Sequence, residues 1–222
     1  MTLHRFAEYT GREEDVWKRF LNTYERIPNF AGISEKFKDY DMHPDGTEAY
    51  DLCVNNLRIK VTVDLQESNN FEKWGDLRLD FVSVYTPDRL FRTYNEFRAS
   101  LDATQISVEK WGKIVEPQAD YLVVEFRQGT MGELWHESPH RIYSLQLLHD
   151  HLNYWITHGI FRTNIKRDTE ETWGSAFIAV KREDENLRAT EPRSLSEMET
   201  SIKEWERVLP YQQEINRYSR GQ

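Results

Sequence analysis

Five residues between positions 51 and 80 have the types and spacing to do chemistry: Asp51, Lys60, Asp64, Gln66 and Asp80. Carboxylates grouped on one surface hold a hard divalent cation through oxygen, and a lysine or an amide beside them can orient water or an anionic group. The chemistry such a set supports is water activation with charge stabilisation.

The elements that must position these groups are legible in the pattern of residues 50–85. Leu57, Ile59, Val61 and Val63 alternate with Arg58, Lys60, Thr62 and Asp64, which predicts a strand with one buried and one polar face. Ahead of it, Asp51 to Val54 reads as a short strand, and Asn55-Asn56 as a two-residue turn, because Asn tolerates positive φ. Asp51 is thereby carried across a hairpin to the polar face. Glu67 to Trp74 reads as loop. Leu77, Leu79 and Phe81 then alternate with Arg78 and Asp80 in a third strand of the same sheet unit.

The 222 residues suffice for one α/β domain with a single core, and the boundaries expected are 1–190 for that domain and 191–222 for a C-terminal helical extension. Seven Trp, 11 Tyr and 11 Phe supply the apolar surface for a folded chain despite 30% charged residues. The run of about 20 apolar residues that a bilayer span needs is absent, as is the apolar core of a signal peptide, so no membrane contact and a cytoplasmic location are expected. Cys53, the single cysteine, falls in a predicted buried strand and reads as a small core residue. A net charge of −9 opposes non-specific attraction to a polyanion unless the cations are gathered on one face.

Outside the central stretch, Thr10-Gly11-Arg12-Glu13 fits a capping box. It predicts a helix from there, with Val16, Phe20, Leu21 and Tyr24 on one stripe and Pro28 as its stop. Residues 89–101 carry apolar groups at helical spacing, and Gly112 to Glu116 reads as a short strand or an approach loop. The nearly continuous apolar run from Ala119 to Phe126 predicts a central strand covered on both faces. A strand at Arg141 to Leu145, a helix begun near Ser144 and a strand over Ser175 to Val180 follow, with Gly159 to Trp173 polar and irregular between them. Ser194 and Glu197 open a last amphipathic helix through Met198, Ile202, Trp205 and Val208. His149 and His151, two apart in a helix, read as surface or cap residues rather than as metal ligands. Trp74 and Trp173, in loops, are candidates for base stacking. The glycine-rich and nucleophile-elbow signatures of dinucleotide-binding, P-loop and α/β-hydrolase proteins are absent.

Taken as a whole, the order of helix, Asp-bearing strand, charged strand and Gly-Asp-Leu-Arg-Leu-Asp resembles the PD-(D/E)XK nuclease superfamily. Ala119-Asp120-Tyr121, Ile142 to His151 and Ala176 to Val180 extend the likeness over residues 10–185. The resemblance implies a restriction-endonuclease-like α/β fold, a mixed central β-sheet flanked by helices. It also implies Mg²⁺-dependent hydrolysis of DNA or RNA phosphodiesters. Asp51 takes the place of the family's metal-binding Asp, but Lys60 stands where the second acid belongs and Thr62 where the lysine belongs.

Three readings follow from that departure. Asp64-Leu65-Gln66 can serve as a D-x-Q variant. Alternatively, Lys60 is the lysine moved along the strand, with Asp51, Asp64 and Asp80 as metal ligands and Glu13 or Glu14 of the first helix as another. In the third reading the chemistry is lost and a non-catalytic interaction or scaffold protein remains, docking a protein partner or forming a homodimer through its aromatic surface and C-terminal helix. Without the resemblance, the same residues read as a solvated sheet face laced with ion pairs, each contributing little.

Overall fold

The computed structural model describes residues 3–43, 50–67, 76–85, 90–127, 140–167, 172–181 and 183–200. The loop expected around Trp74 and the helical positions expected at Ile202, Trp205 and Val208 lie outside them.

Helix α1 runs Leu3–Tyr24, so the Thr10 capping box lies inside a helix and not at its start. Glu13, Glu14 and Asp15 accordingly sit in mid-helix. Leu, Arg, Ala and Glu upstream are strong helix formers, and they offset the cost of about 1 kcal/mol that Gly11 imposes. The stripe read from sequence is the buried one: Val16, Trp17, Phe20, Leu21 and Tyr24 are all buried. The helix ends at Tyr24, four residues ahead of the proline expected to stop it, and Pro28 opens a 3₁₀ turn, Pro28–Phe30.

Five strands form a mixed sheet in the order β1 (Tyr40–Met42), β2 (Leu52–Val54), β3 (Ile59–Glu67), β6 (Tyr121–Arg127), β7 (His140–Ser144). Strand β6 runs parallel to β3 and antiparallel to β7, and its residues 121–126 are all buried, as an apolar run covered on both faces requires. The second sheet is antiparallel, in the order β5 (Val108–Trp111), β4 (Asp76–Tyr85), β9 (Thr172–Lys181), β8 (Ile160–Arg167). The chain is therefore a mixed α/β protein with two sheets and flanking helices.

Two cores result. Helix α1 packs Val16, Trp17 and Phe20 against Val61, Val63, Val123 and Ile142 of the mixed sheet. The opposite face of that sheet, through Leu122, Val124 and Tyr143, shares a second core with Leu77, Leu79, Ile178 and Val180 of the antiparallel sheet. A short α2 (Ile33–Lys36) follows α1 in the chain, and Phe97 of α3 (Tyr94–Asp102), Leu148 of α4 (Leu145–Asp150) and Trp155 of α5 (Leu152–His158) complete the second core. Ser144 caps α4, accepting from the Leu147 amide at 3.4 Å. After β9 a short helix α6 (Glu185–Arg188) leads to the helical residues 195–200. These open on a reciprocal box in which Ser194 Oγ accepts from the Glu197 amide and the Glu197 carboxylate from the Arg193 amide. Leu195 and Met198 are buried in the α1 core, so the described start of the C-terminal extension belongs to the domain.

Several local expectations give way to this architecture. The β2–β3 hairpin closes over residues 55–58 with Arg58, not an asparagine, at positive φ, and Leu57 lies in that turn instead of the strand. The stretch Gly159 to Trp173 supplies β8 and the start of β9. Its polar residues were legible; the pairing with β9 that orders them as a strand was not.

The largest correction concerns β4, which belongs to the second sheet and forms no ladder with β3 among the described residues. A side chain makes the join. Gln66 Oε1 accepts from the Arg78 amide at 3.1 Å, and Gln66 Nε2 donates to the Arg78 carbonyl at 2.8 Å and to Asp64 Oδ2 at 3.0 Å. The amide thus acts as a surrogate strand residue at the seam. Gln66→Ala strips both Arg78 backbone groups of this partner, and a loss of about 2 kcal/mol in urea denaturation is expected. An unchanged midpoint would show the seam to be held by other contacts.

Candidate functional site

At the seam, one ammonium stands within electrostatic reach of four carboxylates from four segments. Asp51 precedes β2, and its Oδ2 accepts from the Thr62 hydroxyl at 2.7 Å and the Val63 amide at 2.5 Å. The hairpin therefore does bring Asp51 to β3. Asp64 lies two residues further along that strand, steadied by Gln66. Asp80 comes from β4 and Glu13 from α1.

The ammonium is Lys113, whose Nζ stands 3.9 Å from Asp51 Oδ2. Its position depends on an unusually close backbone approach. The Gly112 amide donates to the Phe81 carbonyl at 2.8 Å, and a Cβ on Gly112 would lie 2.1 Å from the Asp80 carbonyl oxygen, so only glycine fits. This contact adjoins the register shift in β4 between Asp80 and Val82, a bulge beside a charged site. Beyond Lys113, Ile114 is buried in the second core and its carbonyl accepts from His149 Nδ1 at 2.9 Å, which ties the turn to α4. His149 is thus a structural anchor, and its bonded ring nitrogen carries the proton.

Electrostatics binds the five groups into one unit. Protein surrounds Lys113 and opposes its charge. Asp51, Asp64, Asp80 and Glu13 together outweigh that effect and hold its pKa above the usual lysine value. Solvent still reaches the lysine, whose side chain is 36% exposed, and Asp80 is exposed too. The protein atoms packed around Asp80 first, although its surface reaches solvent, and then the Asp64 charge raise the Asp80 pKa, against Lys113 and Arg78. Glu13 is pushed from 4.5 to about 7, by burial first and then by Asp51, with Asp64 adding to the effect and Lys113 opposing it. One cation does not balance four acids, and the surplus negative charge adds to the effect of burial in raising the Glu13 and Asp80 pKa values.

Of the residues singled out in the sequence, Asp51, Asp64 and Asp80 come together, and Glu13 joins them. Glu14 instead pairs with Lys18 at 2.7 Å along the helix. Gln66 is present, but both its N–H donors are spent on Arg78 and Asp64, so it positions Asp64 and does not orient water. Lys60 lies apart, its Nζ 4.7 Å from the Tyr50 ring centroid and its amide donating to Asp120 Oδ2 at 2.7 Å. Trp173 is in β9, not a loop. Lys113 was missed because nothing local marks it: Gly112-Lys113 is an ordinary loop dipeptide until β4 is known to run beneath it.

The donor set fits a hard cation in chemistry, being all carboxylate oxygen with unbalanced negative charge. Among the described residues, no group of three or more His, Cys, Asp or Glu is arranged to hold a metal ion.

The fold and this cluster define a mixed α/β protein with a solvent-reached carboxylate–lysine centre at the seam of two sheets. Comparison with protein families, with characterised proteins and with solved structures gives no match to the chain. No helix among the described residues is long and apolar enough to cross a membrane.

The retained proton on Glu13 has a measurable consequence. Its folded pKa lies above the ordinary value, so the folded chain binds more protons than the unfolded chain between pH 4.5 and 7. Stability therefore falls as pH rises through that window, and the raised Asp80 pKa acts in the same direction. Urea midpoints measured from pH 5 to 8 should decline for the wild type and decline less for Glu13→Gln. An identical pH profile for the two proteins contradicts the assignment.

Proposed function

We propose that the chain is a metal-dependent nucleic-acid phosphodiesterase of the restriction-endonuclease-like type, in which the lysine of the motif has been replaced in space by Lys113. The observation that carries this reading is the Lys113 ammonium, 3.9 Å from Asp51 and within electrostatic reach of Asp64, Asp80 and Glu13. Acids and a lysine around one point are what hydrolysis of an anionic diester uses.

Asp51, Asp64 and Asp80 would hold Mg²⁺, which when bound supplies Lewis acidity and lowers the pKa of coordinated water. Lys113 sets a fixed positive charge where the phosphate's negative charge grows in the transition state. The Glu13 carboxyl, with a pKa of about 7, can give or take a proton at neutral pH. Gln66 fixes the Asp64 carboxylate through one N–H, and the Thr62 hydroxyl and Val63 amide fix Asp51.

A second reading is an inactive derivative, favoured by the Lys113 ammonium, which already sits among the acids a metal would need. The scaffold alternative draws less support, since Leu195 and Met198 of the C-terminal segment are committed to the chain's own core.

Purified protein incubated with labelled single- and double-stranded DNA and RNA in Mg²⁺ or Mn²⁺ separates these readings. Cleavage by the wild type is expected, with losses of about 100-fold or more in Asp64→Asn and Lys113→Ala. Cleavage undiminished in both variants removes the proposed site, and no cleavage with any substrate leaves the inactive derivative.

A further inference from the structure

We infer that the outer face of the antiparallel sheet binds a single strand of nucleic acid and leads it to the carboxylate centre. The direction of that path rests on the reading of the centre given above; the binding itself does not.

The alternation of the sheet assigns the face. Leu77, Leu79, Ala176, Ile178, Val180 and Phe161 enter the second core, so the residues between them point away from it. Cross-strand pairing sets two rows on the outward side. Asp80, Phe177 and Arg162 form one across β4, β9 and β8, and Arg78, Ala179 and Ile160 form the next. Phe177 and Ile160 are absent from both cores. Arg162 is exposed, Ile160 is 42% exposed, and Phe177 and Arg78 are half-buried. The Arg78 guanidinium lies over the Phe177 ring, 5.0 Å from its centroid.

These groups suit one ligand chemistry. A chain of net charge −9 repels a polyanion over most of its surface, yet this face presents Arg78 and Arg162 on either side of an aromatic ring. The Arg78 guanidinium stacked on the half-buried Phe177 ring offers an unpaired base a flat surface to stack on, while the exposed Arg162 pairs with phosphate. Duplex DNA or RNA hides its base faces and cannot use the ring, which selects a single strand. A protein partner is the poorer fit, because Ile160 is the one exposed large apolar side chain on the two rows. Asp80 ends the first row and belongs to the carboxylate centre. Arg162 stands two strand spacings away, about 10 Å, so a backbone phosphate held there belongs to a nucleotide near the one at the centre.

The test is fluorescence anisotropy with labelled 12-nucleotide single-stranded DNA and RNA and a matching duplex, in EDTA so that no cleavage intervenes. The wild type should bind single strands more tightly than duplex. Arg162→Glu should weaken binding about tenfold and lower the salt slope by about one. Phe177→Leu, which keeps an apolar group of similar bulk, should weaken it several-fold with little change in salt slope. Asp64→Asn should bind as the wild type does while losing cleavage, which keeps failure of the centre distinct from failure of the face. Equal affinity of Arg162→Glu and Phe177→Leu with the wild type, a preference for duplex, or no binding at low salt overturns the inference. Cleavage with an unchanged KM in those two variants overturns it while leaving the phosphodiesterase reading intact.

Discussion

The Gln66 amide is the constraint on which the site depends. Two sheets that share no ladder among the described residues meet where this side chain exchanges two hydrogen bonds with the Arg78 backbone. A hydrogen bond across such a seam contributes only about 1 kcal/mol net, but its geometry is specific. It fixes how far β4 lies from β3, and hence how far Asp80 lies from Asp64. The third bond of the same amide, to Asp64 Oδ2, couples that carboxylate to the seam. Slippage of β4 by one residue would turn Asp80 into the core and Leu79 outward.

Given that frame, the centre is an electrostatic problem with a partial solution. Four acids lie within electrostatic reach of a lysine that solvent can still reach, and Asp51, Asp64 and Lys113 are held there by something other than charge. Asp51 is anchored by two β3 donors, Asp64 by Gln66, and Lys113 by a glycine contact below it and a core isoleucine after it. Anchors of that kind let like charges stay together without relaxing apart, which is the usual condition of a site built for a cationic or proton-transferring task. A solvated face of ion pairs would instead show flexible partners and ordinary proton affinities; Glu13, near 7, does not.

How much of this was legible in the sequence follows from how local each signal is. The period-two runs gave β3 and the first half of β4, a continuous apolar run gave β6, the stretch Ser175 to Val180 gave most of β9, and helical spacing gave the buried stripe of α1. Asp51 reached β3 because a hairpin is a short-range event. The assignment of β4 to another sheet was not legible, since alternation states which face is buried and not which strand lies alongside. Lys113 was invisible for the same reason, as its partners lie 33 or more positions away in the chain. Lys60 was misleading because it shares a strand face with Asp64. That face extends past the centre, and at its near end Lys60 meets Tyr50 instead. Gln66 was found, but its role changed: a free amide can hold water, whereas one with both donors bound holds protein.

The central claim is that Asp51, Asp64 and Asp80 act together on a divalent ion beside Lys113. Calorimetric titration of the full chain with Mn²⁺, in the absence of nucleic acid, tests it most directly. Saturable binding to the wild type that weakens at least about tenfold in Asp51→Asn is the expected result, given the loss of a charged ligand. No binding to the wild type, or equal binding to both proteins, would contradict the account.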